Sequence, residues 1–134
     1  MARKTTPRPT DGELAILRVL WHLGSGTVRE VQEELEKTQP TGYTTVLKLL
    51  QIMSDKGLVT RDESRRAHVY RAAEQRQQVQ RGLLGDLMDR VFEGSAAQLV
   101  QQALASRPAS SEELDEIRKI LDDMETPSDD SPHA

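Results

Sequence analysis

TGYTTVLKLLQIMSDKG, residues 41–57, is the stretch on which the reading of this chain turns. Its apolar residues Val46, Leu49, Leu50 and Met53 follow the i, i+3, i+4, i+7 spacing of a helix that buries one face. At about 100° per residue they fall within about one third of the circumference. Thr44, Lys48, Gln51 and Asp55 lie opposite, with Thr41 and Thr45 on the flank, and Gly57 supplies the stop. Threonine is a middling helix former, so three of them gathered at the start ask for a reason other than propensity. One answer is that this end touches something outside the protein.

Working upstream, TDGELAILRVLWHLG places Thr10 three residues before Glu13, a capping-box spacing in which each side chain satisfies the other's backbone donor. Leu14, Leu17, Val19, Leu20 and Trp21 supply the inner face of this first helix, and Gly24 ends it. After the Gly-Ser-Gly punctuation, TVREVQEELEK repeats the device with Thr27 and Glu30. Val28, Val31 and Leu35 recur on one side of the second helix, and Pro40 forces a turn before the third. Working downstream, the period changes. Leu58, Val59 and Thr60, a polar tip that includes Asp62 to Arg66, and an alternating run from Ala67 to Arg71 predict a β-hairpin, with His68 as a strand residue. Three helices and a hairpin over residues 10–73 predict a winged helix-turn-helix.

From residue 74 the helical period returns. Val79, Leu83, Leu84, Leu87, Met88, Val91 and Phe92 form a stripe interrupted by Gly82 and Gly85. SAAQLVQQALAS follows, with Ala96, Leu99, Val100, Ala103 and Leu104 inside. SSEELDEIRKILDDME closes the pattern with a Ser110 to Glu113 capping box and Leu114, Ile117, Ile120, Leu121 and Met124 on one face. These helices have no other domain to cover their stripes, and large apolar surfaces mark interfaces. A second copy of the chain is the simplest cover, which makes Leu83, Leu84, Leu87, Val91, Leu99, Leu104, Leu114, Ile117 and Leu121 the expected dimer contacts. The predicted architecture is mainly α with a small β-hairpin wing: a basic flexible arm over 1–9, the winged helix over 10–73, a helical dimerisation region over 74–125 and a disordered tail over 126–134. No internal repeat is present.

Composition narrows the function. The chain has 134 residues and no cysteine, which removes disulfides, thiolate metal sites and cysteine nucleophiles together. No apolar run reaches the roughly 18 residues that a membrane span needs, and MARKTTPRP lacks the apolar centre of a signal peptide, so a cytoplasmic protein without membrane insertion is expected. The net charge of −4 hides an asymmetry: residues 1–73 carry 12 basic against 9 acidic side chains, and residues 74–134 carry 6 against 13. Only the first half is suited to approach a polyanion. His22, His68 and His133 are far apart in sequence, and no Gly-rich phosphate loop, metal-ligand cluster or nucleophile motif is present, so neither an enzyme nor a cofactor is expected.

A helix that buries Val46, Leu49, Leu50 and Met53 must present its other face outward, and in helix-turn-helix proteins that face enters the major groove of DNA. Thr41, Thr44 and Thr45 would place hydroxyls and methyls where phosphates, base edges and thymine methyls lie. The free amides of the helix start favour phosphate. Lys48 sits one turn deeper, followed by Gln51, while Arg61, Arg65 and Arg66 of the hairpin would lie over the neighbouring backbone or minor groove. Arg3, Lys4 and Arg8 of the arm add a loose electrostatic contact, and Tyr43 is expected to pack on the first helix. The competing reading is a winged helix that binds a partner protein without sequence-specific DNA binding; the two differ in salt dependence.

YTTVLKLLQIMSDKGLVTRDESRRAHVYRA resembles the penicillinase repressor family of BlaI/MecI-type regulators, in which a Tyr-Thr-Thr-Val start, a Lys-Gly stop and a His-x-Tyr second wing strand recur. TDGELAILRVLW is similar to the family's first helix, and FEGSAAQLVQQAL with SSEELDEIRKILDDM to its dimerisation region. The resemblance covers about residues 10–125. It implies a homodimeric transcriptional repressor on an inverted-repeat operator of double-stranded DNA. It also implies induction through a membrane-bound metallopeptidase sensor and cleavage within the dimerisation helices. Thr44, Thr45 and Lys48 would face the groove. Three departures stand out: Leu47 and Ile52 occupy positions where many members are basic or polar, Gln102 and Ala103 align with the Asn-Phe that is cut in studied members, and the cysteine-rich end of the copper-responsive branch is missing.

Overall fold

The computed structural model describes residues 8–126. Arg3 and Lys4 of the basic arm, and residues 127–134 with His133, lie outside the described residues. In chain order the elements are α1 (Asp11–Leu23), α2 (Val28–Glu36), α3 (Tyr43–Lys56), β1 (Val59–Asp62), β2 (Val69–Ala72), α4 (Arg76–Val91), α5 (Ala96–Ser106) and α6 (Ser111–Glu125). The chain divides into two compact units, and the division falls within α4, between Gly85 and Asp86. Among the described residues, no helix is long and apolar enough to cross a membrane.

The first unit is a winged helix. Thr10 and Thr27 each accept a hydrogen bond from the backbone of the third helical residue, and Glu13 and Glu30 return it, so both capping boxes form. These bonds satisfy donors that have no partner inside the helix. The core joins Ile16, Leu17 and Leu20 of α1 to Val31 and Leu35 of α2, Val46, Leu50 and Met53 of α3, and Leu58, Val59 and Tyr70 of the wing. Burying each large side chain contributes about 1.5–3 kcal/mol. On α1 the inner face is rotated from the expected one: Ile16 is fully buried, whereas Leu14 and Trp21 are only half-buried at its margin. Trp21 sits at that margin with its indole N–H donating to the carbonyl of Glu74 at 2.9 Å. Arg76 covers the same ring at 5.7 Å. Leu49, expected in the core, is likewise half-buried, in contact distance of the space beside Gly12.

The hairpin runs one step further along the chain than its apolar residues suggested. Val59 pairs with Ala72, Thr60 with Arg71, Arg61 with Tyr70 and Asp62 with Val69 in antiparallel register. Leu58 lies just outside β1, buried, and its carbonyl takes the N–H of Ala73. His68 precedes β2 and is exposed, so it is not a strand residue: pairing stops at Asp62, whose carboxylate instead accepts from the Ser64 N–H and bends the tip. A third backbone segment joins the pair. Gly26 and Tyr70 exchange two backbone hydrogen bonds of 2.9 and 2.8 Å, which fasten the wing to the α1–α2 connection. Gly26 is buried there, and a Cβ would stand 3.4 Å from Val31 and 3.5 Å from Leu23.

One ion pair stitches α3 to α1. Glu13, only 2% exposed, accepts from the Lys56 ammonium at 2.7 Å and from the Thr10 N–H at 3.0 Å. Burial pushes its carboxyl up, but the hydrogen bonds from Lys56 and Thr10 and the lysine's charge outweigh burial and leave the group below its ordinary 4.5. The capping residue of α1 therefore also fixes the C-terminal end of α3.

The second unit holds the end of α4 with α5 and α6. Ser95 and Ser110 cap their helices through the backbone of Gln98 and Glu113. At Ser110 the bond runs one way, because Glu113 does not return it among the hydrogen bonds of this helix start, and the expected capping box is only half formed. Phe92 lies one residue beyond α4, half-buried, and its N–H still donates to the carbonyl of Met88 at 3.0 Å. No residue of α5 or α6 is buried. Leu87, Val91, Val100, Ile120, Leu121 and Met124 are all exposed, and Met124 reaches 78%.

Candidate nucleic-acid interface

The start of α3 is built differently from the other helix starts with an assigned cap. α1, α2, α5 and α6 each begin with a threonine or serine whose oxygen accepts a backbone N–H. α3 begins at Gly42, with no side-chain cap. Its first-turn amides therefore keep their donors and the positive end of the helix dipole unquenched. The entry to this helix is nevertheless well held. Gln32 of α2 donates to the carbonyl of Thr41 at 3.1 Å, and Glu36 accepts the Thr41 N–H at 3.1 Å. The Thr41 hydroxyl donates to the carbonyl of Gln39 at 3.1 Å. Thr41 is thus part of the turn that aims α3, and its side chain is half-buried.

Beyond this turn the outward face is uninterrupted. Thr44, Thr45, Lys48, Gln51, Ile52 and Asp55 are all exposed, while Val46, Leu50 and Met53 behind them have no accessible surface. Lys48 enters no ion pair among the described residues. Leu47, half-buried, packs against the core rather than joining the outward face. Tyr43 is 44% exposed, and the guanidinium of Arg29 on α2 stands 5.4 Å from its ring. This contact brings a second cation beside the start of α3, at a position that sequence spacing gave no reason to select. The signal was present only as an arginine on the polar side of a short helix.

The three wing arginines are not equivalent. Arg61, at the strand end, forms an ion pair with Glu63 at 2.6 Å. A hydrogen bond to the Tyr70 side chain and the charge of Glu63 raise its already high pKa, so its charge is fixed and partly answered within the protein. Arg65 and Arg66 lie in the exposed tip and enter no ion pair among the described residues. Hydrogen bonds from the Ser64 backbone and side chain, then the charges of Arg65 and Arg71, hold Asp62 below its ordinary value, which keeps the tip folded around an anionic carboxylate. Tyr70, the tyrosine of the His-x-Tyr motif, is 1% exposed and belongs to the core. Among the described residues no group of three or more histidines, aspartates or glutamates is disposed to hold a metal ion.

Residues 9–123 match the sequence profile of the penicillinase repressor family. The chain belongs to that family. It is 30% identical over its whole length to the transcriptional regulator BlaI of Mycobacterium tuberculosis, of which 96% is covered. It is 26% identical over 120 residues to the penicillinase repressor of Bacillus licheniformis, covering 90% of this chain and 94% of that one. Among solved structures, it is similar to the DNA-binding domain of the repressor BlaI, at 28% identity and a TM-score of 0.49, over 55% of this chain and 90% of that one. The monomeric form of Bacillus licheniformis BlaI with the blaP half-operator gives 28% identity and a TM-score of 0.48, over 56% and 92%. Within this member of the penicillinase repressor family, the expected dimer contacts Leu84, Leu87, Val91 and Leu121 are exposed, and Leu83, Leu99, Leu104, Leu114 and Ile117 are half-buried.

Proposed function

We propose that this member of the penicillinase repressor family is a homodimeric transcriptional repressor that binds an inverted-repeat operator through α3 and the wing. The observation that carries the reading is the start of α3: an uncapped helix end, rigidly aimed by Gln32 and Glu36, followed by an exposed face of Thr44, Thr45, Lys48 and Gln51. Free amides and a positive dipole end suit a phosphate, and the side chains beyond suit the donor and acceptor pattern of the major groove. Arg65 and Arg66 supply backbone contacts from the wing. Thr41 contributes by fixing the turn, and Arg61 by stiffening the hairpin, more than by reaching DNA.

The C-terminal helices provide the second copy. Apolar side chains that stay exposed along α4, α5 and α6 are the surface that pairing would cover. A two-fold pair sets two α3 helices about 34 Å apart, or a small multiple of that distance, which matches a palindromic site. Joining two weak half-site contacts raises affinity through effective concentration. The domain roles follow: residues 10–73 read DNA and residues 74–125 dimerise, in the cytoplasm and with no chemistry of their own. Repression would end when a membrane sensor metallopeptidase leads to cleavage among these helices. Gln102 and Ala103 are exposed but helical within α5, so a cut at that point requires local unwinding.

Footprinting on the DNA upstream of the protein's own coding sequence tests the reading. Two protected segments related by a dyad support it. A chain that sediments as a single copy and leaves that DNA unprotected at low ionic strength refutes it, and so leaves the protein-interaction reading.

A further inference from the structure

Ile52 is the one large aliphatic side chain on the outward face of α3. It is 39% exposed, four residues beyond Lys48 and seven beyond Thr45, and the core behind it is completed by Leu50 and Met53, both fully buried. Residues at these spacings line up along one edge of a helix. The fully buried side of α3 is complete without this isoleucine, whereas every exposed neighbour on the outward face is polar.

Given the DNA reading above, on which this inference rests, we propose that Ile52 is a specificity-determining residue that reads the C5-methyl group of a thymine in each half-site. The chemistry of the groove leaves few alternatives for an aliphatic side chain. Set against the N7 and O6 of guanine, the N7 and amino group of adenine or the amino group of cytosine, it displaces water and returns no hydrogen bond, which is unfavourable. Set against a thymine methyl, it buries apolar surface on both sides. The methyl of Thr45 lies along the same edge. Seven residues of helix span about 10.5 Å, about three base-pair steps when the helix follows the groove. Ile52 thus selects T·A pairs at a position about three base pairs along the groove from that faced by Thr45, without a hydrogen bond.

Duplexes selected from a random pool by the full chain provide the test. Each thymine of the selected half-site is replaced in turn by deoxyuridine, which removes only the C5-methyl. At one position uracil should weaken binding about fourfold per half-site, the factor that corresponds to losing one buried methyl group at about 0.8 kcal/mol. Ile52→Ser should bind uracil and thymine equally at that position, and keep the discrimination at any thymine read by Thr44 or Thr45. 5-Methylcytosine opposite guanine should recover part of the lost affinity there, because the methyl is the group recognised. The uracil scan on the unaltered protein needs no variant, so it stands even where a substitution disturbs folding. Uracil tolerated at every position overturns the proposal, as does a uracil penalty that Ile52→Ser retains everywhere. Failure to select any sequence removes the DNA reading itself and this inference with it, a result distinct from selection without methyl dependence.

Discussion

Replacing Arg65 and Arg66 together by alanine gives the sharpest view of how this protein would hold DNA. Lys48, Arg65 and Arg66 are exposed and outside the ion pairs of the described residues, whereas Arg61 is engaged by Glu63 and Tyr70. A dimer that places these three cations of each protomer on phosphates neutralises about six charges, so the logarithm of affinity should fall against the logarithm of salt with a slope of about −5. Between 50 and 200 mM salt that amounts to about a thousandfold loss. The double variant keeps about two contacts, its slope should be about −2, and the same change of salt should weaken it only about tenfold. Fluorescence anisotropy of a labelled duplex, taken from the footprinted region and titrated at several salt concentrations, measures both. Arg118→Ala is the control. Its arginine lies on α6 and pairs with Asp115 at 2.7 Å, so it should leave the slope alone. A double variant whose slope stayed within about one unit of the parent's would show that the wing tip does not touch the backbone.

Lys48→Ala should keep the parent's melting behaviour, since the side chain is exposed, while weakening specific binding; relaxed sequence preference would mark a base contact, and a slope reduced by about 2 for the dimer a phosphate contact. No change in either would remove Lys48 from the interface. Leu87→Asp places a charge on the exposed stripe of α4 and should yield monomers with weak operator affinity; an unchanged sedimentation profile refutes that contact. Lys56→Met leaves the Glu13 carboxylate buried with little but the Thr10 backbone bond, and should cost about 2–3 kcal/mol in urea unfolding at neutral pH. Because Glu13 titrates lower in the folded chain than its ordinary 4.5, its stabilising share is complete above that value and is lost as pH falls through the lowered one. Glu13→Gln should therefore flatten the acid limb of the stability profile, and an identical acid limb in the variant would contradict the linkage.

What the sequence determined by itself was whatever depends on near neighbours along the chain. A capping box involves residues three apart, so Thr10 with Glu13 and Thr27 with Glu30 were readable, as were the apolar periods of α2 and α3 and the stop at Gly57, whose φ of 84° is easily adopted only without a Cβ. The outward face of α3 followed, because burying one side of a helix exposes the other. Tertiary structure decided everything that depends on residues distant in sequence. The Lys56 ammonium finds Glu13 across 43 positions, the Trp21 indole finds the Glu74 carbonyl across 53, and Tyr70 reaches Gly26 to bind the wing to the helices. Packing also buries Ile16 on the inner face of α1, sets Arg29 over the ring of Tyr43, and pairs Arg61 with Glu63 while Arg65 and Arg66 of the wing tip enter no ion pair among the described residues. Local pattern fixes which face of an element is apolar; only packing fixes which charge is already answered inside the protein and which is left for a partner.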